Sequence, residues 1–254
     1  MTEESVELLY ALGQEHRIVG ISGFVKRPEQ ARNLKKVCAF TSANIDKILS
    51  LDADLILGFS DIQKDIARDL IAAGENVFIS NHRSLSETLD YISLLSRVVG
   101  EEDRGNVLLA SYRHKIEKAQ HFAENLQRRP KVYFEEWDEP AISGIKWVSE
   151  LIELCGGIDI YAELSAGKLA KDRFVDWDET VSRNPEIIFP CWCGKSFDRD
   201  SFMKRVGIDK VDAVKSGHVF ELMPEVFLQP GPALFVDGID ILIDYFKTWE
   251  QEYV

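Results

Sequence analysis

No stretch of the chain approaches the roughly 18 uninterrupted apolar residues that a membrane-spanning helix needs, so membrane insertion is not expected. Positive charge is also short: 30 Lys and Arg stand against 43 Asp and Glu, for a net charge of -13. Such a surface repels phosphate backbones and anionic bilayers, which excludes nucleic acid as an expected partner. Cysteine is sparse, with Cys38, Cys155, Cys191 and Cys193 in a chain of 254 residues. Their irregular spacing builds neither a disulfide framework nor a zinc site, and buried thiols in a reducing compartment are the simpler reading. The opening MTEESVELLYALGQEH has no basic region followed by an apolar one, so it does not read as a secretion leader. The expected location is cytoplasmic as the sequence stands, and periplasmic or cell-surface if residues precede Met1. Low-complexity tracts and internal repeats are lacking as well.

What is present is an alternation of short β-rich runs with longer runs of helical period, the pattern of an α/β fold with parallel strands. Residues 5–12 read as a helix stopped by Gly13, followed by a strand over 17–22. A helix over 42–51, a strand over 54–59, a helix over 62–73 capped by Asp61 and a strand over 76–80 complete the first alternation. Helical period then runs to Leu126, punctuated by Gly100, with one long helix expected over 105–128. A second alternation begins with a strand over 131–134. It continues with helices over 148–154 and 179–183, strands over 186–189 and 219–222, and a terminal helix over 238–252. The division expected is an N-terminal lobe over 1–102, a linking helix over 103–130 and a C-terminal lobe over 131–254, in a monomer.

In parallel α/β sheets, ligands meet the carboxyl ends of the strands, where loops vary and helix N-termini converge. That rule selects Gly23 and Phe24, then Ser60 and Asp61, then Asn81, His82 and Arg83 in the first half. In the second it selects Glu135, Glu136, Trp137 and Asp138, and the CWCGKSF run with Trp192, Cys193 and Lys195, with Gln229 in a late loop. Core packing competes with a ligand role for Trp137 and Trp192, and more strongly for Trp147. Adjacent strand residues point to opposite faces, so Glu135 and Glu136 do not make a facing catalytic pair, and salt bridging is the commoner fate. The five histidines form no metal-spacing motif, and Cys193 has no base placed beside it by sequence.

TEESVELLYALGQEHRIVGISGF and IDKILSLDADLILGF resemble the opening of the substrate-binding proteins for cobalamin, haem and iron-siderophores. VYFEEWDEPAISGIKWVSELIELCGGIDIY is similar to the start of their second lobe, and NPEIIF, VDAVKSGHVFEL and QPGPALFVDGIDIL to later elements in the same order. FEEWDEPAISGI with CWCGKSF is similar to a cobalamin-binding subgroup. The resemblance implies two Rossmann-like lobes bridged by one long helix, a ligand held in the cleft between them, and no catalysis. It also implies that Phe24, Phe59, Trp137, Trp147, Trp192 and Gln229 face that cleft. No cofactor is required, cobalamin or a related corrinoid being the ligand, and the permease of an ABC-type importer is the implied partner.

This chain departs from the family pattern at its start, which has neither leader nor the short apolar strand that precedes the TE motif. An interior strand cannot be dropped without exposing two edges, so either residues precede Met1 or the first sheet is rearranged. An iron-siderophore or haem is the rival ligand. A reading of another class is a cytosolic enzyme or chaperone acting on a metal chelate through Cys193, His82 or Glu135. A third is an interaction protein that has kept the fold and lost its ligand.

Overall fold

A computed structural model describes residues 1–253, with nothing said of the Tyr253 side chain. The chain divides into two compact units, Met1–Ser111 with Gln229–Ala233, and Tyr112–Leu228 with Leu234–Val254. The boundary between Ser111 and Tyr112 falls inside one 24-residue helix.

Unit 1 opens with α1 (Glu3–Ala11), whose first turn carries Glu3 and Glu4 where negative charge suits the helix dipole. Gly13, at φ +70°, takes the left-handed turn that ends it. Then come β1 (Ile21–Ser22), β2 (Lys36–Cys38), α2 (Ile45–Leu49), β3 (Ile56–Phe59), α3 (Lys64–Ala72), β4 (Val77–Ser80) and α4 (Leu85–Val98). Asn44 caps α2 by accepting the Lys47 amide, and Ser84 caps α4 by accepting the Glu87 amide, each stabilising its helix by about 1 kcal/mol. The strands pair in parallel as β1 with β2 and β3 with β4, and among the described residues no strand ladder joins the two pairs.

Two expectations for this unit are corrected. The strand over 17–22 shrinks to Ile21–Ser22, because β1 is paired along one edge only and Glu15–Arg17 coil into a 3₁₀ turn instead. Asp61 does not cap α3. Ser60 accepts the Ile62 amide (3.3 Å), a 3₁₀ turn covers Asp61–Gln63, and Asp61 turns outward to Arg83.

The helix α5 (Glu102–Asn125) leads to β5 (Lys131–Asp138), which runs four residues further than expected. It is the central strand of unit 2. The antiparallel β6 (Ala141–Ser143) and parallel β7 (Ile158–Asp159) lie along one edge of it, with α6 (Lys146–Leu154) between them in sequence. Gly156 at φ +100° turns the chain out of α6. At Gly157 a Cβ would come within 2.9 Å of Phe246 and 3.0 Å of Val132, so only glycine permits that packing. After α7 (Trp177–Arg183), β8 (Ile187–Pro190) pairs in parallel with the other edge of β5. Short helices α8 (Arg199–Phe202), α9 (Asp212–Lys215) and α10 (Pro224–Phe227) follow. A π-turn over Leu234–Gly238 then feeds α11 (Ile239–Tyr253). The strand expected over 219–222 is only a bridge from Val219 to Ile188, although the Leu222 amide still reaches the Pro190 carbonyl. The core on one face of β5 and β8 gathers Tyr133, Tyr161, Ile188, Trp192, Phe202 and Val211.

Candidate functional site

In unit 1 the loops after β1, β3 and β4 carry the candidate residues. Phe24 is 53% exposed, and its amide donates to Ser22 Oγ (3.2 Å). Phe59 is buried at the end of β3, with the His82 ring edge-on at 5.0 Å and the Arg83 guanidinium 6.0 Å from its centroid. Ser60 is fully buried at φ +66°, an uncommon backbone for a residue with a Cβ. Its amide reaches the Ser80 carbonyl at 2.7 Å. Asp61 is exposed and accepts from Arg83 at 2.7 Å.

His82 is fixed by contacts at both ring nitrogens and on its face. Its Nε2 donates to the Pro230 carbonyl (2.7 Å), its Nδ1 accepts from Ser80 Oγ (2.6 Å), and the ring stacks on Tyr91 at 4.5 Å. A carbonyl can only accept, so Nε2 carries the proton, and burial lowers the pKa so that the ring stays neutral. Both nitrogens are spent, which removes His82 as a metal ligand. Gln229 is half-buried beside Glu3, to whose carboxylate it hydrogen-bonds.

In unit 2 the carboxyl end of β5 gathers the rest. Glu135 has no exposed surface. Its carboxylate accepts from Arg205 twice (2.5 and 3.0 Å), from the Tyr133 hydroxyl (2.9 Å) and from the Trp192 indole (2.9 Å). Burial first, then the neighbouring carboxylate, pushes the Tyr133 hydroxyl well up, so it remains a donor. Glu136 points the other way and pairs with Arg173 at 2.6 Å. Lys195 donates to Asp138 at 2.6 Å and holds its ammonium 4.3 Å from the Trp137 ring and 4.7 Å from Trp192. Three acidic residues on one strand are thus each matched by a cation.

Trp137 remains half-exposed, its indole N–H on the Glu139 carbonyl (3.1 Å). Trp192 is 3% exposed, clamped by Glu135 and by Phe197, edge-on at 5.0 Å. Trp147 is also 3% exposed, with its N–H on the Phe227 carbonyl at 2.9 Å. Both are therefore placed in packed interior, because each indole N–H is already satisfied there. Cys193 is exposed, in no disulfide, and its amide bonds to the Glu136 carbonyl at 3.1 Å. Among the described residues no group of three His, Cys, Asp or Glu side chains is placed to hold a metal ion.

The family model described as periplasmic binding protein matches residues 1–226. The chain belongs to that family. Among curated relatives, the vitamin B12-binding protein of Vibrio cholerae is 24% identical over 258 residues, spanning 99% of this chain and 89% of that one. Solved structures with the same fold include the periplasmic heme-binding protein RhuT from Roseiflexus sp. RS-1, at 21% identity and a TM-score of 0.83 over 98% and 97% of the two chains. The periplasmic vitamin B12 binding protein BtuF of Vibrio cholerae aligns at 23% identity and a TM-score of 0.79, over 99% and 96%.

The sequence rule found the strand-end loops but not Arg173 or Arg205. Neither lies near a strand end in the chain, and Arg205 is 70 residues from the carboxylate it neutralises. The only available signal was the need of a buried Glu135 for a cation.

Proposed function

We propose that this chain is a non-enzymatic binding protein for cobalamin or a related corrinoid, a small-molecule metal chelate that it delivers to an ABC-type permease. The observation that carries the reading is the half-exposed Trp137 indole at the end of a strand whose charges cancel locally: Glu135 with Arg205, Glu136 with Arg173 and Asp138 with Lys195. A flat apolar surface without net charge suits a large macrocycle edged with neutral amides, which gains about 25 cal/mol for each Å² of apolar surface it covers. A haem, with its two carboxylates, would favour unpaired cations, and it would favour an accessible axial imidazole, which the doubly bonded His82 does not offer. The whole-length similarity to vitamin B12-binding proteins supports the same choice. Enzyme chemistry at Glu135 is disfavoured because all its lone pairs are engaged by fixed donors.

Absorbance titrations of the purified chain with cobalamin, haemin and a ferric hydroxamate test this reading. Cobalamin is expected to bind and to be recovered chemically unchanged. Binding of haemin or the hydroxamate alone would transfer the assignment to that ligand, and conversion of the ligand would support the enzyme reading.

A further inference from the structure

Glu3 lies in none of the strand-end loops, yet two candidate residues of unit 1 meet on it. It opens α1, and its carboxylate is held at the carboxyl end of β1. Ser22 Oγ donates to that carboxylate (3.3 Å) and accepts the Phe24 amide (3.2 Å), while the Gln229 side chain donates to the same carboxylate. The backbone of Gln229 is set by other contacts. Its carbonyl accepts the Gly231 amide (2.9 Å), and the Pro230 carbonyl accepts His82 Nε2 (2.7 Å). Gly231 lies so close to α1 that a Cβ there would stand 2.6 Å from the Glu4 Cβ. The loop is thus fixed against His82 and the first turn of α1, and the freedom left to Gln229 is that of its side chain.

An ionised carboxylate only accepts hydrogen bonds, whereas a carboxamide carries a donating nitrogen and an accepting oxygen at separate corners. Glu3 therefore draws Nε2 of Gln229 toward itself and turns Oε1 away. One hydrogen of Nε2 is spent on Glu3, and Oε1 with the second hydrogen is left for a ligand. We propose, on the corrinoid reading given above, that Glu3 is a positioning residue: it holds the Gln229 carboxamide oxygen outward at the carboxyl end of β1, so that unit 1 selects a ligand edge of neutral amides over one of carboxylates.

A primary amide matches both groups, donating to Oε1 and accepting the remaining N–H. A carboxylate matches the N–H alone, and it sets its second oxygen against Oε1 with the charge of Glu3 behind. Ser22 adds to the effect, because its hydroxyl hydrogen also goes to Glu3 and its oxygen takes the Phe24 amide.

The test compares cobalamin with the separated cobalamin monocarboxylic acids, in each of which one peripheral amide is a carboxylate. Calorimetric titration of the full chain is run at pH 8 to keep Glu3 ionised, since burial raises its pKa. At least one acid is expected to bind the native chain about tenfold more weakly than cobalamin. Glu3→Gln can donate as well as accept, which lets Gln229 present either face, and should shrink that ratio to about threefold or less. Gln229→Met should shrink it equally and the double variant no further, because Glu3 acts through Gln229. A role in folding alone would lower Tm and leave the ratio in place. No discrimination by the native chain, an unchanged ratio in Glu3→Gln, or additive effects of the two substitutions would each overturn the assignment. A readout without ligand is the Gln229 side-chain amide in proton–nitrogen correlation spectra, where one proton should lie downfield in the native chain and move upfield in Glu3→Gln. An amide signal unmoved by that substitution would also overturn it. Failure of the native chain to bind cobalamin would instead overturn the corrinoid reading, and the amide signal would then decide the role of Glu3.

Discussion

Arg205→Met leaves the Glu135 carboxylate buried with two neutral donors where it had four hydrogen bonds, two of them from a guanidinium. Breaking such a pair costs about 3–5 kcal/mol, because the remaining charge has no exit to water. The guanidinium also lies 4.5 Å from the Phe202 ring and 4.9 Å from Trp177, contacts whose loss adds about 1 kcal/mol. The expected total is about 4 kcal/mol, a fall in Tm of roughly 8–16 °C.

Urea and thermal unfolding followed by tryptophan fluorescence measure this directly, since Trp192 and Trp177 both touch the network. Pairing Arg205→Met with Glu135→Gln removes the stranded charge and should recover about half of the loss. A single variant within 1 kcal/mol of the native protein, or a double variant no better than the single, would refute the reasoning.

Glu4 is buried, and burial first, with Glu3 adding, raises its pKa to about 7 despite the Thr2 hydroxyl that lowers it. Its stabilising contribution is complete below about pH 4.3 and declines as pH climbs through 7, so Glu4→Gln should unfold at higher urea than the native chain at pH 8 and not at pH 5. Cys193 should react with iodoacetamide well ahead of Cys155 and Cys191, which are buried with thiols pushed up in pKa, as peptide mass mapping after brief exposure will show. Trp137→Ala should weaken corrinoid binding about tenfold with little change in Tm, whereas Trp192→Ala should lower Tm by removing a buried donor to Glu135. Equal effects of the two on stability would contradict the placement of Trp192 in the core.

The alternation of strands and helices was readable because hydrophobic period and helix stops such as Gly13 and Gly156 are local. The features that were not readable depend on partners distant in the chain. Ile18 and Val19 have the composition of a strand, yet the ladder stops at Ile21, since only one edge of β1 is paired. Asp61 does not cap α3 because a 3₁₀ turn over Asp61–Gln63, opened by Ser60, comes first and the helix starts from Gln63 without a side-chain cap. Salt bridging of Glu135 was foreseeable from its position on an apolar strand, but its partner was not. Similarly, nothing in the composition of CWCGKSF shows that Trp192 turns inward while Lys195 lies across both tryptophans.

Calorimetric titration of the full chain with cobalamin, with haemin in a parallel cell, tests the central claim most directly. The account expects one cobalamin per chain with a Kd of about 1 μM or tighter and no saturable haemin binding. Saturable binding of haemin with none of cobalamin would contradict it.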